Sequence, residues 1–158
     1  MRRADREITD FNEIVEVMEQ CDVCRLAFNN GEYPYIVPLN FGMSVENGKV
    51  TLYFHSASEG TKLELMKNDN RASFEMDCGH KLVTDEESGG CTMNYKSVIG
   101  RGIIEFVSEN KKYDALKILM SHYHEENFPF NEKIIPQTCV YKLTVSELSG
   151  KKREKVLQ

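Results

Sequence analysis

The chain has 158 residues, 41% hydrophobic and 28% charged, with a formal net charge of -5. That length and composition fit one soluble globular domain over residues 1–158 and leave too little chain for a second. The acidic balance argues against nucleic acid, no apolar run approaches the roughly 20 residues that span a bilayer, and the opening MRRADREITD lacks the apolar stretch of a secretory signal, so the cytoplasm is the expected compartment.

Thr9 or Asp10 can cap a first helix, in which Phe11, Ile14, Val15 and Met18 follow helical spacing. The helix runs into Cys21-Asp-Val-Cys24 and the short strand CRLAF. Five cysteines are an odd number, and cytosolic disulfides are rare. A zinc site needs two more ligands, and Cys78, Cys91 and Cys139 are dispersed. A thioredoxin-like CxxC follows a strand and opens a helix, whereas this one follows a helix and opens a strand. Small core or surface thiols are therefore favoured over a redox pair, and no metal site is expected. His122 and His124, two residues apart, cannot share a helix face.

After the turn NNGE comes a long strand, PYIVPLNFGMSV. Tyr35, Val37, Leu39 and Phe41 share one face, while Pro38 removes a ladder donor and marks an edge, a bulge or a ligand-facing kink. Asn47-Gly48 signals a tight hairpin into KVTLYFHS. A helix over about 59–69 follows, then the strand RASFEMDC and a polar loop from Thr84 to Gly90. In the long strand TMNYKSVIGRGIIEFVS, Gly100 and Gly102 point to a bulge or a close approach. NKKYDALKILMSHYHEE reads as an amphipathic helix with Tyr113, Leu116, Leu119, Met120 and Tyr123 on its apolar stripe. A loop through Phe128 to Pro136 leads to the last strand, CVYKLTVSEL. About six antiparallel strands and three helices make a mainly β (α+β) fold, a small antiparallel barrel with helices over its openings. The Gly-rich fingerprint of a parallel dinucleotide-binding fold is missing.

The segment HSASEGTK, residues 55–62, carries the most chemistry. It leaves a strand, passes small and hydroxyl residues and Gly60, and places Lys62 at a helix start. Free N–H groups and the positive dipole end suit phosphate there. A cation in a first helical turn is disfavoured by the dipole alone, which makes a bound anion one reading and a capped helix with a solvated lysine the other.

Taken in order, MRRADREI, CRLAF, PYIVPLNFG, LYFHSASEGTK and YKSVIGRG resemble the split-barrel flavoproteins related to pyridoxamine 5′-phosphate oxidase, and in particular their nitroimidazole-resistance (Nim) branch. The resemblance spans residue 1 to about 105. It implies a six-stranded antiparallel split β-barrel with flanking helices that works as a homodimer, with FMN in grooves between subunits. It implies that Val37, Pro38, Leu39 and Asn40, by backbone and side chain, line the flavin ring and ribityl chain. It implies that His55, Ser56, Ala57, Gly60 and Lys62 hold the ribityl-phosphate end, and that Ser97, as a cofactor-binding candidate, stands where the oxidase places a glutamine that contacts the flavin across the dimer. Asn40 stands where the oxidase has a basic residue, and Thr61-Lys62 replaces its Arg-Lys phosphate pair. The oxidase's C-terminal arginine and histidine motif has no counterpart, which points away from vitamin B6 oxidation.

The implied function is an FMN-dependent oxidoreductase, nitroreductase-like, passing electrons to a small-molecule acceptor such as a nitro compound. His55 is the titratable candidate for a catalytic proton donor, with phosphate or ribityl hydrogen bonding as its other role. Tyr95 and Met93 are pocket candidates or alternating core positions. The rival expectation is a non-catalytic module holding flavin or haem as a sensor or carrier, because no dedicated acid, base or nucleophile stands out. A structural protein without cofactor is the third.

Overall fold

A computed structural model describes residues 3–124 and 128–155. Asp10 caps helix α1 (Phe11–Glu19), its carboxylate accepting the Asn12 N–H at 2.7 Å. Ile14, Val17 and Met18 form the buried stripe of α1. A two-residue strand, β1 (Glu7–Ile8), precedes it. Strand β2 (Cys24–Phe28) alternates as expected, with Cys24, Leu26 and Phe28 buried.

The segment PYIVPLNFGMSV is two strands, β3 (Tyr35–Leu39) and β4 (Gly42–Glu46). β3 pairs with β2, Pro38 opposite Arg25, and lies at one end of the sheet, where a missing donor is tolerated. β4 pairs with β5 (Lys49–Ser56) through a turn with positive φ at Asn47 and Gly48 (51° and 74°). Helix α2 (Thr61–Asn68) leads to β6 (Arg71–Asp85) and β7 (Gly90–Phe106). These two form a hairpin that continues through the expected loop, so that Asp85 pairs with Gly90. Helix α3 (Lys112–Ser121) precedes β8 (Cys139–Arg153). The sequence pattern carried α3 on to residue 126; the described helix stops at Ser121, His122 and Tyr123 form a turn, and 125 and 126 lie outside the described residues.

All pairing is antiparallel, in the order β3-β2-β6-β7-β8-β5-β4, with β1 added on β8. The fold is thus the expected mainly β split barrel, with eight strands in place of six because one strand divides and β1 is added. β3 and β4 end the path without a ladder between them. Register shifts at Cys78/Lys81 and at Arg101/Gly102 bend the long strands. Leu26, Phe28, Phe41, Leu52, Phe54, Phe74, Met76, Tyr141 and Leu143 fill the interior, and α1 covers part of it. Among the described residues no helix is long and apolar enough to cross a membrane.

Helix α3 packs on β4 and β5 beside the gap. At Gly42 a Cβ would fall inside the backbone of Ile118 and Leu119. Because the obstacle is backbone, no rotamer change relieves it. Gly42→Ala is expected to cost about 3 kcal/mol of folding stability, at the upper end of overpacking effects. Urea denaturation measures it, and a loss below about 0.5 kcal/mol would mean that α3 does not sit this close.

Candidate functional site

The sheet opens where β3 and β4 part. The β4–β5 ladder ends at Gly42 opposite Tyr53, and two residues farther along each strand stand Asn40 and His55. The strands diverge there, β3 toward β2 and β5 toward β8, so the split is flanked by Asn40 on one side and by His55 and Ser56 on the other. Alternation along β3 sends Val37 and Leu39 inward against the core. These two offer a ligand on the outer face only their backbone, whereas Pro38 and Asn40 are exposed. The Asn40 amide donates to Asp22 O at 3.5 Å.

His55 leaves β5 on the outer face and Ser56 on the inner, opposite Cys139. Ser56 Oγ donates to Ala57 O at 2.8 Å. Gly60 has φ 132° and ψ 160°, a conformation that a Cβ opposes although the space around it is open. It sets the first residue of α2 directly after the loop. No side chain caps this helix. The Gly60 carbonyl takes the Leu63 and Glu64 N–H groups, and those of Thr61 and Lys62 have no acceptor among the described residues. Lys62 is half-buried and makes no ion pair among the described residues, whereas Lys67 pairs with Glu64 and the buried Lys112 with Glu109 at 2.7 Å.

Electrostatics tie these groups together. Crowding around the imidazole, and after it the charge of Lys62, push the His55 pKa below its ordinary 6.5, although the residue as a whole is exposed. Burial raises the Cys139 thiol, opposed by Lys112, Lys62 and Lys67 in that order. Three lysines from α2 and α3 therefore bear on the floor of the cradle. Sequence reading found only Lys62; Lys67 and Lys112 carry no motif and come near through the pairing of β8 with β5.

Ser97 lies apart from this group. It sits on β7 between Asp77 and Lys151, about 14 Å of strand spacing from β3 and about 35 Å along β8 from the level of His55. Tyr95 and Met93 stand farther out on the same hairpin arm, Met93 46% exposed opposite Leu82. One chain holds His55, Ser56, Ala57, Gly60 and Lys62 in a single strand–loop–helix segment, with Asn40 beyond the end of the β4–β5 ladder, and leaves Ser97 outside. Another hollow, of about 520 Å³, lies at the far end of α2 and is lined by Met66 to Arg71, Ile104 and Phe106. The helix dipole is negative there, and Asp69 is held ionised by Arg71 and Asn29, so an anion is disfavoured.

The family described as pyridoxamine 5′-phosphate oxidase matches residues 10–152. The chain belongs to that family. Among solved structures it is similar to a candidate 5-nitroimidazole antibiotic resistance protein from Bacteroides thetaiotaomicron, with 32% identity over 92% of this chain and 86% of that one, at a TM-score of 0.81. A FAD and heme binding protein from Mycobacterium smegmatis shares the fold at 17% identity, over 95% of this chain and 74% of that one, with a TM-score of 0.79. A FAD-binding protein from Mesorhizobium loti shares it at 21% identity, over 94% and 98%, with a TM-score of 0.67. No curated protein matches the chain significantly. In this member of the pyridoxamine 5′-phosphate oxidase family, the start of α2 has no side-chain cap and Lys62 no ion pair among the described residues.

The lowered His55 pKa has a defined consequence. The folded chain binds this proton less readily than the unfolded one, so the stability linked to the neutral ring is present above the unfolded value of 6.5 and lost as pH falls through the folded value. Lys62→Ala removes the second of the two causes and should raise the His55 pKa toward 6.5. Imidazole NMR titration reads this directly; an unmoved His55 would separate the two residues.

Proposed function

We propose that the chain binds FMN in the split between β3 and β5 and works as an FMN-dependent oxidoreductase on a small acceptor of the nitro-compound class. The observation that carries this reading is the start of α2, where, among the described residues, two N–H groups have no acceptor, no side chain caps the helix and a half-buried lysine has no carboxylate partner. A doubly charged phosphate satisfies all of these at once. Lys67 and Lys112 add longer-range positive charge, compensating in part for Thr61 where the oxidase has a cation. Pro38 and the backbone of Val37 and Leu39 give a flat edge for an isoalloxazine ring, and Asn40 an amide. A flavin held there supplies the redox chemistry, while the protein supplies position and charge.

His55 stands beside Lys62, neutral at physiological pH given its lowered pKa. A neutral imidazole donates one hydrogen bond and accepts another, to a ribityl hydroxyl, a phosphate oxygen or an acceptor. An arriving dianion offsets the Lys62 charge, the second of the two causes, and adds its own attraction for the proton, which favours His55 as a proton donor in the loaded site.

The homodimer belongs to the same proposal. Pro38 and Ser97 share the outer face of the sheet, as do the exposed Ile36, Ile99 and Ile103. A twin subunit covering that face buries these isoleucines and brings a second Ser97 toward the cleft that its own chain does not reach. The flavins and haem named for the similar proteins from M. smegmatis and M. loti support a planar cofactor on this fold.

Equilibrium titration with FMN is expected to give a yellow complex of twice the 18.2 kDa chain mass. Lys62→Ala should weaken binding about tenfold, as loss of one charge-assisted contact implies. Unchanged affinity would refute the cradle. Anaerobic oxidation of a reduced nicotinamide in the presence of a 5-nitroimidazole tests the activity; a stable complex without turnover favours the sensor or carrier.

A further inference from the structure

Cys21 lies in the core two residues past the end of α1, and Cys78 lies on the inward-facing row of β6 that continues Ala72, Phe74 and Met76. The two are 57 residues apart in sequence, yet both thiols donate to one carbonyl, that of Val17, at 3.2 Å from Cys21 and 3.9 Å from Cys78. Cys78 is half-buried and Cys21 fully buried. The next residue after Cys78 is Gly79, with φ 68°, inside the register shift that runs to Lys81. Backbone at such a bulge is free of the regular ladder and can move without breaking a run of paired bonds. Cys24, the other half of the CxxC, has no exposed surface and lies in the strand interior of β2. Among the described residues no group of three potential ligands is placed to hold a metal ion.

We propose that Cys21 and Cys78 form a reversible disulfide when the protein meets a peroxide. The accessible Cys78 attacks first: its sulfur takes one peroxide oxygen, the O–O bond breaks, a sulfenic acid forms and water leaves. Cys21 then attacks the Cys78 sulfur, the S–S bond forms as the S–O bond breaks, and a second water leaves. The two thiols lose two electrons and the peroxide gains them. Burial and the neighbouring Cys78 push the Cys21 thiol up, so Cys21 is not the first to meet peroxide; it attacks once Cys78 is a sulfenic acid, its proton leaving with the departing hydroxide as water. A disulfide needs the sulfurs near 2 Å apart with fixed torsion, so the approach falls to the bulge at Gly79. The natural partner of Cys21 is thus Cys78 across the fold, not Cys24 in the motif.

The bond would act beyond the pair. The Cys21 carbonyl accepts a hydrogen bond from His122 Nε2 at 2.7 Å, and the Asp22 carbonyl accepts from the Tyr123 hydroxyl at 2.8 Å and from the Asn40 amide. Drawing Cys21 toward β6 pulls on the contacts that hold the edge of the split.

The test uses the full chain carrying Cys91→Ser, which removes the exposed thiol. It is treated with stoichiometric hydrogen peroxide, digested without reduction and mapped by mass spectrometry. The expected result is a linked Cys21–Cys78 peptide pair, lighter by two hydrogens than the separate thiols and released by dithiothreitol. Adding Cys78→Ser should abolish both the link and the loss of titratable thiols. A Cys21–Cys24 link, over-oxidation of Cys78 without a link, or four thiols still free after treatment would overturn the proposal. The mapping needs no cofactor, so its outcome stands apart from that of the FMN reading.

Discussion

Between Leu39 and Gly42 the chain changes its sheet partner, and a tyrosine hydroxyl takes the place of a ladder bond. The Phe41 N–H donates to Tyr123 Oη at 3.0 Å, and the same hydroxyl donates to Asp22 O. One side chain from the end of α3 thereby fastens the β3–β4 crossing to the loop that enters β2. Gly42 lets the α3 backbone come close enough for this, and the Phe41 and His122 rings, 4.3 Å between centroids, pack beside it. Without the crossing β3 and β4 would be one straight strand, and the sheet would have no split for a ligand to enter. An unpaired edge costs hydrogen bonds and invites aggregation, so its survival here fits a place where the chain is built to receive something.

The charge arrangement follows from that geometry. β5 ends at the split, and the short loop after it turns into α2 at once, so the helix N-terminus faces the opening. A buried or half-buried lysine without a carboxylate is unusual, because a desolvated charge needs an opposite one. Lys67 and Lys112 have theirs in Glu64 and Glu109. Lys62 has none among the described residues, and the two N–H groups beside it lack an acceptor there too, which is what the proposed anion would satisfy. In the proposed function that anion is the FMN phosphate, and the chain's own residues supply the reason that it would stay.

Much of the architecture can be read from local pattern. Asp10 before an apolar period, Asn47-Gly48 between alternating strands, Pro38 in an edge strand and Gly60 before α2 each act within a few residues of themselves. The division of PYIVPLNFGMSV was not legible, because what breaks it is Tyr123, 82 residues away. Lys112 looks like one lysine among many until β8 brings Cys139 over it. Ser97 and His55 both stand in segments that carry the family resemblance, but one chain keeps them apart, and the proposed second subunit is what would unite them. Cys21 and Cys24 drew the eye as a CxxC. The structure sets Cys21 and Cys78 on one carbonyl, that of Val17, through the register of β6, which no spacing rule reports.

Amide chemical shifts of ¹⁵N-labelled protein, followed while FMN is added, test the central claim most directly. The account predicts that the largest changes fall on Asn40 and on His55 to Lys62, on both walls of the split and at the start of α2. Changes confined to the hollow lined by Arg71, Arg101, Ile103 and Ser146 on the β6–β7 face, or no changes at all, would contradict it.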